Sequence, residues 1–330
     1  DKELKDIKRG GFDHKKLYAA FDKAMKSNGK PTVLLVKTLK GYGLGEGSEG
    51  RNIAHQKKTM SDDERIEIAE RLGIPLSDDD RKSAKFYVPD PNSEEMQYLH
   101  SRRKELGGYQ PIRFNSCETL KAPDIELFED FINGIDRSIS TTLVLVRMIS
   151  KMLREEDFGK YIVPIVPDEA RTFGMDGLFS QAGIYSPEGQ NYQPVDAGTI
   201  SPYKEAKDGQ VLQEGICEAG AMASFMAAGT AYSHFELPMI PFYIFYSIFG
   251  FQRVGDMIWA CGDALTRGFL IGGTAGRTTL NGEGVQHQDG HSHVLASVVP
   301  NLMTYDPAFS FELAVIVREG IRRMYQEQED

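Results

Sequence analysis

The 330-residue chain is poor in cysteine, has one tryptophan and lacks an apolar run long enough to cross a bilayer. Its three cysteines, Cys117, Cys217 and Cys261, are far apart and form no Cys-x-x-Cys pair, which excludes a disulfide framework and indicates a reducing compartment. The longest apolar stretch, residues 238–251, is short and interrupted by proline. Since no stretch has the pattern of a secretory signal, we expect a cytoplasmic protein without membrane contact.

Basic residues are scarce in the second half. Residues 151–330 contain 12 Lys and Arg against 23 Asp and Glu, whereas residues 1–150 contain 26 and 25. Because phosphate contact needs clustered Lys and Arg, we expect no nucleic-acid partner. The composition, 41% hydrophobic and 26% charged, is that of a globular protein with room for about two domains.

Short apolar runs alternate with helical patterns. Residues 32–36 predict a buried strand, and residues 41–50, with five glycines, predict a flexible loop. Residues 107–123 have the composition of a linker. Beyond them the pattern predicts helices at 140–153, 213–232, 251–265 and 309–326, strands at 161–166, 240–245, 269–272 and 302–305, and a long mobile loop at 183–210.

This alternation predicts an α/β fold in which helices sandwich a parallel sheet. Ligands of such sheets bind beyond the carboxyl ends of the strands. Asp168, Glu169, Tyr246 and the loop that contains His287 fall at those ends.

Two phosphate-binding motifs are absent or incomplete. Gly45-x-Gly47-x-x-Gly50 matches the dinucleotide fingerprint, but no apolar helix opens at Gly50. The chain has no Gly-x-x-x-x-Gly-Lys-Ser/Thr loop. Dinucleotide-binding and P-loop functions are therefore excluded.

Three histidines, His287, His291 and His293, lie within seven residues. That spacing is compatible with Zn²⁺ or Fe²⁺ ligation, with proton handling, or with histidines that only pack in a rigid loop. A metal-binding or interaction domain therefore stays open as the alternative to an enzyme.

Glu218 stands alone in the apolar stretch 215–223, which is predicted to be a buried helix. A buried carboxylate without a partner is costly, and Glu214 already supplies an acidic residue for the first turn. We therefore expect a buried Glu218 with a raised pKa, suited to proton donation. Residues 242–251 contain six aromatics; most belong to the core, but those beyond the strand end can face a flat ligand ring.

Four stretches together resemble a known family. They are Glu-Ala-Arg-Thr-Phe-Gly-Met at 169–175, Leu-Gln-Glu-Gly-Ile-Cys-Glu at 212–218, Pro-Phe-Tyr-Ile-Phe-Tyr-Ser-Ile-Phe-Gly-Phe-Gln-Arg at 241–253 and Arg-Thr-Thr-Leu-Asn-Gly-Glu-Gly-Val-Gln-His at 277–287. They resemble the homodimeric, decarboxylating first component of the bacterial pyruvate dehydrogenase complex, a thiamin-diphosphate enzyme of the transketolase-like superfamily. The resemblance implies an internal segment of that protein. Residues 1–107 would be the C-terminal part of the diphosphate-binding domain with a mobile glycine-rich loop, 108–124 a linker, and 125–330 the pyrimidine-binding domain.

The resemblance also implies roles for single residues. Glu218 would hydrogen-bond the ring nitrogen of the cofactor's aminopyrimidine and so promote its imino tautomer. Phe249 would stack on that ring, while Tyr246 and His287 would contact the substrate and the covalent intermediate. His55 would serve acetyl transfer. Weaker site candidates are Lys40, Asp168 and Glu169. Residues 188–204 would form a second mobile loop. His291 and His293 would be structural.

The implied activity is oxidative decarboxylation of pyruvate, with transfer of the acetyl group to the lipoyl group of dihydrolipoamide acetyltransferase. The implied cofactors are thiamin diphosphate and Mg²⁺, and the implied partners are a second subunit and the acetyltransferase's lipoyl domain and core. The family's Gly-Asp-Gly motif is missing from this sequence, so the Mg²⁺ ligands are expected outside it. Another 2-oxo acid dehydrogenase or a transketolase-like enzyme is the alternative.

Overall fold

The computed structural model describes residues 10–26, 29–109, 113–134, 136–167, 170–199, 202–275 and 284–329. The chain divides into two compact units, Asp1–Tyr109 and Gln110–Asp330. Asp168 and Glu169, and most of the stretch at 277–287, lie outside the described residues. None of the described helices is both long and apolar enough to cross a membrane.

The first unit consists of short helices joined by turns. Side chains that precede the helices fix their starts: Asp13 accepts hydrogen bonds from the Lys15 and Lys16 amides at 3.1 Å, and Ser61 and Glu64 form a capping box. The helices are α1 (His14–Met25), α2 (Asp62–Arg71), α3 (Asp78–Lys82) and α4 (Glu94–Glu105), with a 3₁₀ turn at Asn52–His55.

The prediction of a buried strand at residues 32–36 is wrong. The segment is extended, but it pairs with no strand among the described residues, and Val33 and Leu35 are 80% and 94% exposed. A strand is stable only when a neighbour takes its backbone hydrogen bonds, and an apolar run does not reveal whether that neighbour is present.

The second unit is built on a parallel sheet whose strands lie side by side in the order 212–213, 162–166, 240–246 and 269–273. Register is fixed by pairs such as Ile162 with Ile240 and Phe242 with Phe269. The strands of the unit are β1 (Ile162–Val166), β2 (Ile184–Tyr185), β3 (Glu205–Ala206), β4 (Leu212–Gln213), β5 (Ile240–Tyr246) and β6 (Phe269–Gly273). Its helices are α5 (Glu129–Ile132), α6 (Thr141–Met152), α7 (Asp176–Gln181), α8 (Glu218–Gly229), α9 (Ala231–Phe235), α10 (Phe249–Asp263), α11 (Ser292–Ala296) and α12 (Ser310–Ile321).

The central strand β5 is buried on both faces. Phe242 and Ile244 join the core formed with α6 and α12, whereas Tyr243 and Phe245 join the core formed with α8 and α10. Successive side chains of a strand point to opposite faces, so this division shows a sheet with helices on both sides. The predicted sandwiched parallel sheet is confirmed.

Four local predictions need correction. Residues 302–305 form no strand, and Met303 and Tyr305 are half exposed. The predicted loop 183–210 contains β2 and β3, which pair with each other and tie its two ends together. The predicted helix 213–232 starts only at Glu218 and breaks at Thr230. The C-terminal helix ends at Ile321 and continues as a π-helical turn over Arg322–Gln326.

Candidate active site

Three aromatic side chains meet beyond the carboxyl end of β5. Tyr246 is the last residue of that strand, Phe249 is the first residue of α10, and His287 lies in the loop after β6. The Tyr246 ring centre lies 5.1 Å from that of His287 and 5.9 Å from that of Phe249, and Phe249 and His287 are 5.6 Å apart. The three rings form one cluster, which buried Phe173 supports from 5.2 Å behind Tyr246.

A tight strand-to-helix turn builds this cluster. Gly250 permits the turn, because a Cβ at that position would lie 2.3 Å from the Phe245 ring. Only a residue without a side chain lets the first turn of α10 approach the end of the strand this closely. Phe249 is thereby brought next to Tyr246.

Glu218 joins the cluster through an arginine. Arg253 pairs its Nη1 with Glu218 Oε1, and its guanidinium carbon lies 3.8 Å from the centre of the Phe249 ring. The Glu218 side chain is 12% exposed and that of Arg253 is 45% exposed. The flat guanidinium therefore lies against both a carboxylate and an aromatic face.

The environment of Glu218 differs from the sequence-based expectation in two ways. The carboxylate has a partner in Arg253, so it is not a lone buried charge. Glu218 is also the first residue of α8, with Cys217 as N-cap, whereas Glu214 lies before the helix and accepts a hydrogen bond from Ser224. A negative charge is favoured at a helix N-terminus, because the unpaired amides there carry partial positive charge.

Tyr243 packs beneath Glu218. Its hydroxyl lies 3.4 Å from the Glu218 backbone oxygen, to which it donates a hydrogen bond. Burial, with a smaller contribution from the Glu218 charge, raises the pKa of Tyr243 well above its ordinary value, so the phenol stays neutral.

Sequence reasoning missed Asp289, a buried carboxylate in the His287 loop. It accepts hydrogen bonds from the hydroxyls of Ser247 and Ser292 and from the backbone amides of His291 and Ser292. Burial favours the protonated acid, but these hydrogen bonds outweigh it and lower the pKa of Asp289 to about 2. Asp289-Gly290 is a turn-forming pair, in which an Asp side chain accepts hydrogen bonds from the amides that follow it, and this pattern could have drawn attention to Asp289.

The other histidines of that loop have different surroundings. His291 Nε2 lies 3.0 Å from the Gln252 side-chain nitrogen, which links the loop to α10. Across the described ranges, no group of three His, Cys, Asp or Glu side chains is arranged to hold a metal ion.

Lys40 and His55 lie together in the first unit. The Lys40 ammonium lies against His55 Nδ1 and can only donate, so Nδ1 is the acceptor of this hydrogen bond. Both residues are exposed and line an open cavity of about 420 Å³, together with Leu39, Gly50, Arg51 and Asn52.

The loop over residues 188–204 is attached by an ion pair to the segment that follows β1. Asp196 pairs with Arg171, which lies shortly after β1, and Tyr192 donates a hydrogen bond to Glu205 at 3.1 Å. The loop is therefore anchored both at its middle and at its base.

The structure thus brings Glu218, Tyr246, Phe249 and His287 into one neighbourhood, linked by Arg253. A carboxylate, a phenol, an imidazole and an aromatic face together can bind a flat nitrogen-containing ring and exchange protons with it.

Comparison with solved structures gives the class of fold. Transketolase from Campylobacter jejuni matches with a TM-score of 0.60 and 15% identity, covering 94% of this chain and 43% of that one. Transketolase from Leishmania mexicana matches with a TM-score of 0.55 and 15% identity, covering 97% and 44%. The chain has a transketolase-like α/β fold.

Sequence comparison defines the family. The family model described as "Pyruvate dehydrogenase E1 component middle domain" matches residues 124–330. Over the whole chain, the sequence is 54% identical to the pyruvate dehydrogenase E1 component of Pseudomonas aeruginosa, 51% to that of Escherichia coli K12 and 48% to that of Cupriavidus necator. The chain belongs to the pyruvate dehydrogenase E1 component family. It spans 37% of the length of these relatives.

Proposed function

We propose that this chain is the part of a thiamin-diphosphate-dependent pyruvate dehydrogenase that binds the aminopyrimidine of the cofactor. The whole enzyme would decarboxylate pyruvate oxidatively and pass the acetyl group to the lipoyl group of dihydrolipoamide acetyltransferase. The family match carries the activity. The observation that carries the site is the arrangement of Glu218, Phe249, Tyr246 and His287 beyond the sheet.

The residues fit an aminopyrimidine. The Arg253 guanidinium, a flat group with N–H donors, already lies against the Glu218 carboxylate and the Phe249 ring. A planar heterocycle with a polar ring nitrogen has matching requirements. By contrast, the chain has no Gly-Asp-Gly motif, so the Mg²⁺ and diphosphate ligands would be residues of the whole enzyme outside this sequence.

Thiamin diphosphate, when bound, supplies the carbon nucleophile and the electron sink for decarboxylation. Glu218 would hold a shared proton at the pyrimidine ring nitrogen, and Phe249 would orient that ring by stacking on it. The Tyr246 phenol and the His287 imidazole would donate hydrogen bonds to the oxygens of pyruvate as their charge changes. His55 would handle the proton when the acetyl group passes to the lipoyl sulfur.

The proposed enzyme is a homodimer that works with the lipoyl domain and core of the acetyltransferase. In the family arrangement, each cofactor lies between the diphosphate-binding domain of one subunit and the pyrimidine-binding domain of the other. On that basis His55 and Glu218 of one chain would serve different active sites.

Glu218→Gln in the full-length enzyme tests this proposal. We expect the variant to bind thiamin diphosphate more weakly in isothermal titration and to lose about 100-fold or more in kcat with pyruvate, since a proton-transfer contribution is removed. Glu214→Gln, four residues earlier and before the helix, is the matched control and should behave like wild type. Unchanged binding and turnover in Glu218→Gln would refute the proposed role of Glu218. A higher kcat/KM for longer 2-oxo acids than for pyruvate in the wild type would refute pyruvate as the substrate.

A further inference from the structure

Two of the five buried polar side chains in the described part of the chain are bonded to each other. They are Ser247 and Asp289, each 8% exposed, and the Ser247 hydroxyl donates to Asp289 Oδ2. The Ser292 hydroxyl donates to the same oxygen at 2.6 Å, while the His291 and Ser292 amides donate to Oδ1 at 3.1 and 3.2 Å. A buried carboxylate is tolerated when its oxygens are satisfied in this way.

The donors of these four hydrogen bonds belong to two different parts of the fold. Those from His291 and Ser292 come from two and three residues further along the same loop, and a local Asx turn would explain them fully. Ser247 belongs to another part of the fold: its amide donates to the Gly273 carbonyl at 2.9 Å and so continues the pairing of β5 with β6. Asp289 therefore fastens the histidine loop to the end of the central strand, which a local turn does not require.

The neighbouring strand β6 has a glycine, Gly272, beside this contact. A Cβ at Gly272 would lie 2.9 Å from Ser247 Oγ and 3.1 Å from Ser247 Cβ. Any larger residue at Gly272 would push Ser247 away from Asp289, so the neighbouring strand is adapted to the position of the hydroxyl.

The hydrogen bond runs beside the contact between two proposed site residues. Ser247 directly follows Tyr246, and Asp289 comes two residues after His287, whose ring centre is 5.1 Å from that of Tyr246. A second contact, between His291 of the loop and Gln252 of α10, also holds the loop. The loop is thus held in place by Asp289 and His291, which follow His287 in the chain.

We propose that Asp289 is a positioning residue: through Ser247 it fixes the His287 imidazole against Tyr246 and Phe249. This inference rests on the proposed participation of His287 in the reaction. Asp289 would act through His287 and is not proposed to touch the substrate.

The test compares Ser247→Ala, Asp289→Asn, His287→Ala and the double variant Ser247→Ala/His287→Ala in the full-length enzyme. Ser247→Ala and Asp289→Asn should each lower kcat/KM for pyruvate by about 10- to 100-fold, because small displacements of a catalytic group are costly. In the His287→Ala background, Ser247→Ala should have no further effect. Ser297→Ala, which removes a hydroxyl bonded within the α11 region at 2.7 Å, is the matched control and should behave like wild type.

A second measurement follows His287 without using activity. Diethyl pyrocarbonate modifies histidines, and peptide mass spectrometry gives the rate at His287, with exposed His234 as the internal reference. That rate should rise in Ser247→Ala and stay unchanged in Ser297→Ala.

The outcomes separate the two proposals. If Ser247→Ala lowers activity by the same factor with and without His287, or leaves the labelling rate unchanged, Asp289 only closes a local turn and the inference is wrong. If the wild-type enzyme lacks pyruvate-dependent activity, the proposed function fails, while the labelling experiment still decides whether Asp289 positions His287. Ser247→Ala leaves three of the four donors to Asp289 in place, so the test stands even if Asp289→Asn does not fold.

Discussion

Replacing Arg253 by methionine should strengthen the binding of thiamin diphosphate. Arg253 pairs with the Glu218 carboxylate and covers the Phe249 ring, so it lies against both groups proposed to hold the aminopyrimidine. The ring can reach Glu218 and Phe249 only after the guanidinium leaves. A side chain that must be displaced lowers the apparent affinity by the free energy of its own contacts.

The structure sets the size of the effect. Arg253 is 45% exposed, so its ion pair with Glu218 is screened by solvent and contributes about 0.5–1 kcal/mol. The guanidinium carbon lies 3.8 Å from the Phe249 ring centre, and a partly exposed contact of this kind adds about 0.5–1 kcal/mol. Together they correspond to a roughly 5- to 30-fold lower Kd in Arg253→Met.

The backbone beside Arg253 is compatible with its movement. Val254, the next residue, has φ −133° and ψ 23°, which interrupts the helical geometry of α10. The turn that carries Phe249 and Arg253 is therefore not continuous with the rest of the helix.

Isothermal titration of the full-length enzyme with thiamin diphosphate at fixed Mg²⁺ measures the effect. Arg253→Lys keeps the charge but lacks the flat stacking surface, so its Kd should fall between those of wild type and Arg253→Met. Arg147→Met, at an exposed position of α6, controls for the loss of one positive charge. Equal or weaker binding by Arg253→Met would show that Arg253 does not compete with the cofactor.

Sequence patterns predicted the central strands because their burial leaves a clear signature. β1 and β5 are short, continuous apolar runs, as parallel strands covered on both faces must be, whereas the edge strand β6 is apolar but only partly buried. The same signature misled at residues 32–36 and 302–305, where no described strand pairs with the segment. Pairing depends on residues elsewhere in the chain, and a local apolar run contains no information about them.

Part of the candidate site could likewise be predicted from the sequence, and part could not. Tyr246 and His287 could be placed near one edge of the sheet, since the carboxyl ends of parallel strands lie together. The partners of the two carboxylates could not be predicted, because Glu218 meets Arg253 from 35 residues away and Asp289 meets Ser247 from 42. Whether a carboxylate is a lone buried charge depends on such tertiary contacts, which the composition of its own helix or loop does not determine.

Two further predictions concern stability. Gly250→Ala places a methyl group 2.3 Å from the Phe245 ring and should destabilise the protein by about 1–3 kcal/mol, measured as a lower urea midpoint; an unchanged midpoint would show that the turn can relax. Asp289, whose pKa is about 2 in the folded protein against an ordinary value of 3.8, should stabilise the protein above pH 4 and lose this contribution as the pH falls towards 2. The shift corresponds to about 2 kcal/mol at pH 7, of which about half should be lost by pH 3. Asp289→Asn has no carboxylate to protonate, so its urea midpoint should fall less than that of wild type between pH 7 and pH 3. An equal fall in both proteins would mean that hydrogen bonding does not hold Asp289 ionised.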